Sequence, residues 1–241
     1  MIFRYISNPP GLVNTIVPST AEGILCVVAF IFAIMFGLSI HEFAHGFVAY
    51  KKGDDTARLY GRLTINPLRH IDPLGFVMLL VAGFGWAKPV PVDVNKLKRT
   101  RSDIVWVSLA GIIFNIIASF FFYGIYFLML NYIPADALVQ NRFLYMLVYL
   151  AIYFCYFSST INIGLALFNI LPLFPLDGYR VLEAFVGSQR KFMIFLRQYS
   201  FILFILIIFM EYLPFSPFSW YVNTCAGGLY WLFNLFWGLF V

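Results

Sequence analysis

The sequence Ile24-Leu-Cys-Val-Val-Ala-Phe-Ile-Phe-Ala-Ile-Met-Phe-Gly-Leu-Ser-Ile-His-Glu-Phe-Ala-His45 places three titratable side chains at the end of an uncharged apolar run. On a helix, His41 and His45 lie one turn apart on the same face, so two imidazoles can bind one metal ion. Glu42 is placed to accept a proton from a metal-bound water rather than to bind the metal. Each titratable group inside a membrane helix costs about 2.5–3.5 kcal/mol, so this cluster indicates a functional site.

The composition is that of a membrane protein with several spans. Of the 241 residues, 62% are hydrophobic, 20% are aromatic and only 11% are charged. A soluble domain of this size does not have such a composition. The three cysteines are far apart in the chain, which argues against a disulfide framework and against a thiolate zinc site.

The apolar segments predict an all-α polytopic membrane protein with about five transmembrane helices. The segments are 20–50, 104–130, 143–171, 199–212 and 220–240. Residues 74–87 are apolar but only about half as long as a span, which predicts a re-entrant half-span. Alternating residues around 62–65 predict a small β-hairpin or strand element near the active site.

We expect one membrane-embedded domain over residues 1–241. Its catalytic core would cover about 20–187, and a C-terminal helix pair would cover 188–241. Ten basic residues flank the half-span, five before it and five after it, while the loops on the opposite side are poor in Lys and Arg. The positive-inside rule then places the N-terminus outside and the histidines near the cytoplasmic face of the cell membrane.

A second motif, Asn169-Ile-Leu-Pro-Leu-Phe-Pro-Leu-Asp177-Gly178, follows the third long helix. Its two prolines cannot continue a regular helix, and irregular backbone at membrane depth is tolerated only inside protein or beside a wet cavity. An ordinary helix-ending turn would also contain Pro, Asp and Gly. Because the two histidines lack a third ligand and lie on the same predicted face, we favour a functional carboxylate at Asp177.

The second long helix carries a stripe of small and polar residues at three- or four-residue spacing: Ser108, Gly111, Asn115 and Ser119. Such a stripe is typical of a close contact between membrane helices. Asn115 could also face the active-site cavity. His70, the third histidine, lies in a turn-rich loop, and we interpret it as a loop residue rather than a ligand.

The two motifs together resemble the site-2 proteases, zinc enzymes that cleave peptide bonds inside membranes. The stretches at 61–67 and 86–92, Gly-Arg-Leu-Thr-Ile-Asn-Pro and Trp-Ala-Lys-Pro-Val-Pro-Val, are similar to the compact bacterial and archaeal branch, and the likeness runs from about 37 to 187. The resemblance implies that one Zn²⁺ is bound by His41, His45 and Asp177. It also implies that Glu42 is the catalytic base and that Asn169 lines the site.

The same resemblance implies that an unwound substrate segment pairs with an edge strand. Residues 58–65 are the candidate, and the predicted contacts are Arg62, Leu63, Thr64 and Ile65. The chain departs from the family where Ala110-Gly111-Ile112 replaces Ala-Gly-Pro, although Asn115 keeps its place. We find no PDZ or CBS insertion.

The expected function is hydrolysis of a peptide bond within or near a transmembrane segment by zinc-activated water. The expected partners are a transmembrane protein or peptide substrate and the lipid bilayer, with no nucleic acid. One alternative is a membrane-bound zincin that acts on loops, with Glu183 or Glu211 as its third ligand. Another is a non-proteolytic metal-binding membrane protein, such as a transporter or an inactive scaffold.

Overall fold

The computed structural model describes residues 20–82, 85–98, 100–134, 141–210 and 216–241, which form a helical chain. Its helices are α1 (Thr20–Lys51), α2 (Thr56–Leu59), α3 (Pro73–Ala82), α4 (Thr100–Tyr132), α5 (Arg142–Asn169), α6 (Asp177–Val186), α7 (Lys191–Met210) and α8 (Pro217–Trp237). Three short 3₁₀ turns complete the regular structure of these ranges: Pro67–Arg69, Val94–Lys96 and Gly238–Phe240.

Within the described ranges, the helices α1, α4 and α5 are long and apolar enough to cross a membrane. With 32 residues, α1 is about 48 Å long, more than the hydrocarbon core of roughly 30 Å, so it reaches beyond that core. The helices α7 and α8 occupy the places of the fourth and fifth predicted spans, and the five-span count stays a prediction. The end of the 199–212 segment lies outside the described residues, as do residues 1–19.

A row of small residues on α1 sets the distance between the long helices. Ala29 and Ala33 are fully buried against Tyr153 and Phe157 of α5. Gly37 continues the row on α1, and a Cβ at Gly37 would lie 3.2 Å from Leu165 of α5. Because residues four apart differ by about 40° around the helix axis, each member of the row is rotated by this angle relative to the one before it. The row therefore begins against α5 and reaches α4 at the next members, His41 and His45.

The predicted strand at 62–65 is not confirmed. Leu59 still belongs to α2, Gly61 turns the chain with φ 64°, and residues 62–65 have no regular secondary structure. The carbonyl oxygen of Thr64 accepts a hydrogen bond from Nε2 of His70 at 2.6 Å, so it is not engaged in a ladder. In the described chain, strand-like pairing is limited to one isolated bridge between Ile71 and Ala87.

The predicted half-span at residues 74–87 contains the short helix α3. Helix α3 has ten residues and is about 15 Å long, too short to cross the membrane as a helix. Residues 85–91 return beside the loop before α3, since the N–H of Lys88 donates to the carbonyl of His70 at 2.7 Å. A re-entrant course is compatible with this return, and the placement of α3 in the bilayer stays a prediction.

A buried carboxylate ties the segment 85–98 to the end of α1. Asp54 is fully buried; its Oδ1 accepts from the N–H of Thr56 at 3.0 Å, and its Oδ2 accepts from the N–H of Asp93 at 2.7 Å. An ion pair of 3.1 Å between Lys52 and the buried Asp103 joins the same end of α1 to α4. These contacts fix the loops that surround the histidines.

We therefore expect Asp54→Ala to destabilise the fold. The change leaves the buried N–H of Asp93 without its acceptor, a loss of about 1–3 kcal/mol. The apparent Tm in detergent measures the effect. The matched control is Asp55→Ala, which removes the exposed ion pair with Lys96 and should leave the Tm unchanged. Equal Tm values for Asp54→Ala and wild type would contradict the role of the buried carboxylate.

Candidate metal centre

Three predicted ligand atoms meet at the junction of α1 and α6. Oδ2 of Asp177 lies 3.2 Å from Nε2 of His41 and 3.2 Å from Nε2 of His45. The two Nε2 atoms are 3.1 Å apart. Asp177 is the first residue of α6, and the loop with the two prolines carries the chain back from α5 to bring it there. The sequence motifs predicted this meeting, and the structure brings the three residues together.

The donor set fits a single zinc ion. Tetrahedral ligands at the usual 2.0–2.1 Å from zinc are about 3.3 Å apart, close to the edges of this triangle. Oδ2 of Asp177 is buried and has no partner with hydrogen-bond geometry among the described residues. Two imidazoles and one carboxylate are a ligand set typical of catalytic zinc, which keeps a fourth position for water.

The protonation of Asp177 agrees with a ligand role. Burial raises the pKa of its carboxyl, but the imidazoles of His41 and His45 outweigh burial, and the pKa lies well below its usual value. Asp177 therefore offers a negatively charged oxygen at neutral pH.

Helix α4 orients both imidazoles. Nδ1 of His45 donates to the carbonyl of Val107 at 2.7 Å, which leaves the lone pair of Nε2 facing Asp177. The Asn115 amide lies 3.4 Å from Nδ1 of His41, and its Oδ1 is buried without a partner among the described residues. With the amide oxygen turned toward Nδ1, Oδ1 of Asn115 would accept a hydrogen bond from the Nδ1–H of His41. Both Oδ1 and Nδ1 would then have a partner. Of the two readings of Asn115, the structure supports the one that faces the site.

Gly111 is a site residue whose role the sequence analysis missed. A Cβ at this position would lie 2.5 Å from Cε1 of His41 and 2.7 Å from Nε2 of His45. Only glycine leaves room for both rings against α4. The four-residue spacing between Gly111 and Asn115 could have indicated that Gly111 faces the site, but we interpreted the stripe as a contact between membrane helices. The neighbouring Ile112, where the family has proline, is buried with 3% exposure.

Gly178 makes the corresponding approach on the other side of the site. A Cβ there would lie 2.1 Å from the carbonyl oxygen of Ile170, in the loop after α5. The absence of a side chain lets the start of α6 pack onto that loop. This contact gives Gly178 of the second motif a specific purpose, since it sets the position of Asp177.

Glu42 is held by the backbone of the segment 85–98. Its Oε2 accepts from the N–H of Val90 at 2.8 Å. The side chain of Val90 is buried against α1, because a Cβ at Gly46 would lie 3.1 Å from its Cγ1. One carboxylate oxygen of Glu42 is thus fixed by a loop contact that the sequence did not predict.

The remaining candidate residues make their contacts elsewhere in the described chain. Asn169 is the last residue of α5, and its side chain donates to the carbonyl of Leu165 in its own helix. Leu63 packs near Gly46 of α1, whereas Ile65 is exposed. His70 is a buried loop residue that is not part of the triangle, as predicted.

The two alternative ligands are not brought to the triangle. Glu183 forms a 2.5 Å ion pair with Arg197 and also accepts from the hydroxyl of Tyr179. Glu211 lies outside the described residues. Among those described, the carboxylate that joins the histidines is that of Asp177.

The chain is similar to a known peptidase family. Residues 29–213 match the model of peptidase family M50. YwhC of Bacillus subtilis is 41% identical over 180 residues, 72% of this chain and 77% of YwhC. Rip2 of Mycolicibacterium smegmatis is 26% identical over 197 residues, covering 79% of this chain and 69% of Rip2. MJ0611 of Methanocaldococcus jannaschii is 30% identical over 162 residues, covering 66% of this chain and 72% of MJ0611. All three are named "Putative zinc metalloprotease", and no solved structure matches the chain significantly.

We expect Gly111→Ala to abolish tight zinc binding, because the added methyl group would overlap both imidazoles. The loss of zinc affinity should exceed the 10- to 100-fold typical of residues that only orient ligands. Chelator competition measures that affinity. Gly164→Ala is the matched control, since a Cβ at Gly164 meets nothing within 4 Å. Equal zinc affinity in the two variants would contradict the close approach.

Asn115→Leu keeps the branched shape of the side chain but removes the acceptor for Nδ1 of His41. We expect zinc affinity to fall by about 10- to 100-fold, measured by the same competition. Asn162→Leu is the control, because Asn162 is equally buried but bonds to Ser158 of its own helix. An Asn115→Leu protein with the zinc affinity of the control would show that Asn115 does not orient His41.

Proposed function

Because the chain belongs to peptidase family M50, the site-2 protease family, we propose that it is an intramembrane zinc metalloprotease. Its substrate would be a peptide bond within or near a transmembrane segment of another protein. The observation that carries the proposal is the triangle of His41, His45 and Asp177, with Glu42 beside it, in the C-terminal half of an apolar helix.

His41, His45 and Asp177 would hold the zinc ion. When bound, zinc supplies two effects: it lowers the pKa of a water ligand toward about 7 and polarises a peptide carbonyl. The chain's own residues then manage the proton. Glu42 follows His41 directly, so it is available to take a proton from the attacking water and to return it to the nitrogen of the leaving amine.

The contact with Val90 suits Glu42 for this proton transfer. Because Oε2 accepts the Val90 N–H, the side chain keeps one orientation while Oε1 stays available to the proton. The contacts of both imidazoles with α4 keep their Nε2 atoms turned to the same point. The residues thus form a preorganised site rather than a flexible cluster.

The substrate is proposed to reach the site unwound. A membrane helix hides its carbonyls in its own hydrogen bonds, so cleavage requires local loss of helix. The segment containing Arg62, Leu63, Thr64 and Ile65 has no regular structure of its own and lies beside α1, which makes it our candidate to pair with such a segment. We further propose that this side of the protein faces the cytoplasm, as the basic loops predict.

The contacts of Glu183 disfavour the zincin alternative. Its carboxylate is already paired with Arg197 on α7. A non-proteolytic metal-binding protein remains the second candidate function, since the three ligands alone would serve it equally well. An oriented Glu42 has a purpose in hydrolysis and none in an inactive scaffold.

The test is zinc content and peptide cleavage on the same detergent-purified samples of wild type, Glu42→Gln and Asp177→Ala. Wild type should bind about one zinc per chain and cleave a single-span substrate. Glu42→Gln should keep its zinc and lose at least about 100-fold in kcat, the contribution of a general base. Asp177→Ala should lose both zinc and cleavage.

Two results would overturn the assignments. Cleavage by Glu42→Gln at a rate near that of wild type would remove Glu42 as the base. Normal zinc content in Asp177→Ala would remove Asp177 as a ligand and would favour the zincin with a glutamate ligand or the transporter.

A further inference from the structure

We infer that a basic groove beside Glu42 docks an acidic, extended segment of the substrate just outside its transmembrane helix. The groove has a volume of about 590 Å³, and Arg62, Arg69 and Lys88 line it together with Ile71, Pro89 and Pro91. The inference rests on the proposed protease function, and it names a substrate feature that the metal centre alone does not select.

The charge of the groove has one sign. None of its lining residues is acidic, and none of its three cations forms an ion pair with a carboxylate in the described chain. The carboxylates of the neighbouring loops are engaged elsewhere: Asp54 with the N–H of Asp93, Asp55 with Lys96, and Asp72 with the N–H of Gly75. The groove therefore presents three positive charges that are available to a negatively charged ligand.

The groove is preformed rather than a gap between loose loops. Its two walls, residues 60–71 and 88–91, are joined at one end by the bridge between Ile71 and Ala87. The N–H of Lys88 donates to the carbonyl of His70, and the buried His70 ring in turn holds the carbonyl of Thr64. A ligand would meet walls whose backbone is already fixed, which lowers the entropy lost on binding.

One wall of the groove is also the support of the proposed base. Pro89 and Pro91 line the groove, whereas Val90 between them is buried toward α1 and donates its N–H to Glu42. This alternation is that of an extended segment. A substrate segment lying on the two prolines is therefore separated from Glu42 only by the backbone of residues 89–91. Docking and cleavage can thus involve one continuous substrate.

An acidic peptide fits this groove better than a bilayer surface does. The volume lies within the usual range of enclosed ligand sites, and apolar walls between cations suit a short chain with alternating side chains. The charge would also select among substrates. Most membrane proteins carry Lys and Arg on the cytoplasmic side of their spans, and such segments would be repelled.

Binding of a short fluorescein-labelled Glu-rich peptide tests the groove apart from catalysis. Fluorescence anisotropy should give the same Kd for wild type and Glu42→Gln, and the Kd should rise with salt. We expect the triple change Arg62→Gln, Arg69→Gln and Lys88→Gln to raise it about 10-fold, since each exposed ion pair contributes a factor of about two. The control removes the same charge at three exposed cations outside the groove: Lys51→Gln, Lys98→Gln and Arg101→Gln. Its Kd should stay within about two-fold of wild type.

Cleavage of single-span substrates with Glu or Lys residues on the cytoplasmic side of the scissile bond tests the consequence. Wild type and the control triple should prefer the Glu substrate, and the ratio of kcat/KM values should fall about 10-fold in the groove triple. Groove-dependent peptide binding without any cleavage would support docking and overturn the protease. Cleavage without charge preference, with the same peptide Kd in all three proteins, would overturn docking and leave the protease standing. Groove-dependent binding of a short-chain phosphatidylglycerol in place of the peptide would make the groove a lipid site and overturn the proposal.

Discussion

The buried contact between one carboxylate and two imidazoles is the interaction to which the rest of the structure is adjusted. Asp177 lies 3.2 Å from both Nε2 atoms in the C-terminal half of an apolar helix, where an uncompensated charge would be strongly unfavourable. The three residues come from distant parts of the chain, and no single helix can bring them together. Gly111 and Gly178 remove the side chains that would hold α4 and the loop after α5 away from the site. The metal centre is thus a product of helix packing as much as of ligand chemistry.

The loops on the same side of the protein connect that centre to the solvent-exposed surface. Asp54 anchors the segment 85–98 to the end of α1, and Val90 of that segment holds Glu42. The basic groove uses the opposite face of the same segment. The proposed docking of substrate, the orientation of Glu42 and the stability of the loop therefore depend on the same few backbone hydrogen bonds.

Much of this arrangement could be predicted from the sequence. The apolar runs predicted α1, α4 and α5 nearly to their ends. A membrane-spanning helix must pair all its backbone N–H and C=O groups internally, so it appears in the sequence as a long apolar segment. His41 and His45 followed from their spacing on one helix face, and the resemblance to the site-2 proteases implied Asp177 as the third ligand. The family comparison confirmed the resemblance. What could not be predicted depends on contacts between distant segments: the position of Gly111 against two rings and the Val90 contact of Glu42. The strand at 62–65 was not confirmed, since an alternating pattern supplies no neighbour to pair with, and His70 takes the carbonyl of Thr64.

The contact between His45 and Val107 has a mechanical consequence. In an α-helix, the carbonyl of Val107 is the one that pairs with the N–H of Gly111, four residues later. The missing Cβ of Gly111 exposes this carbonyl, so one turn of α4 supplies both the space and the acceptor for the ring. A slide of α4 by about 1.5 Å along its axis, the rise of one residue, would displace the gap at Gly111 and the carbonyl of Val107 from the ring together. Metal affinity in this protein therefore depends on how α1 and α4 are aligned along their axes.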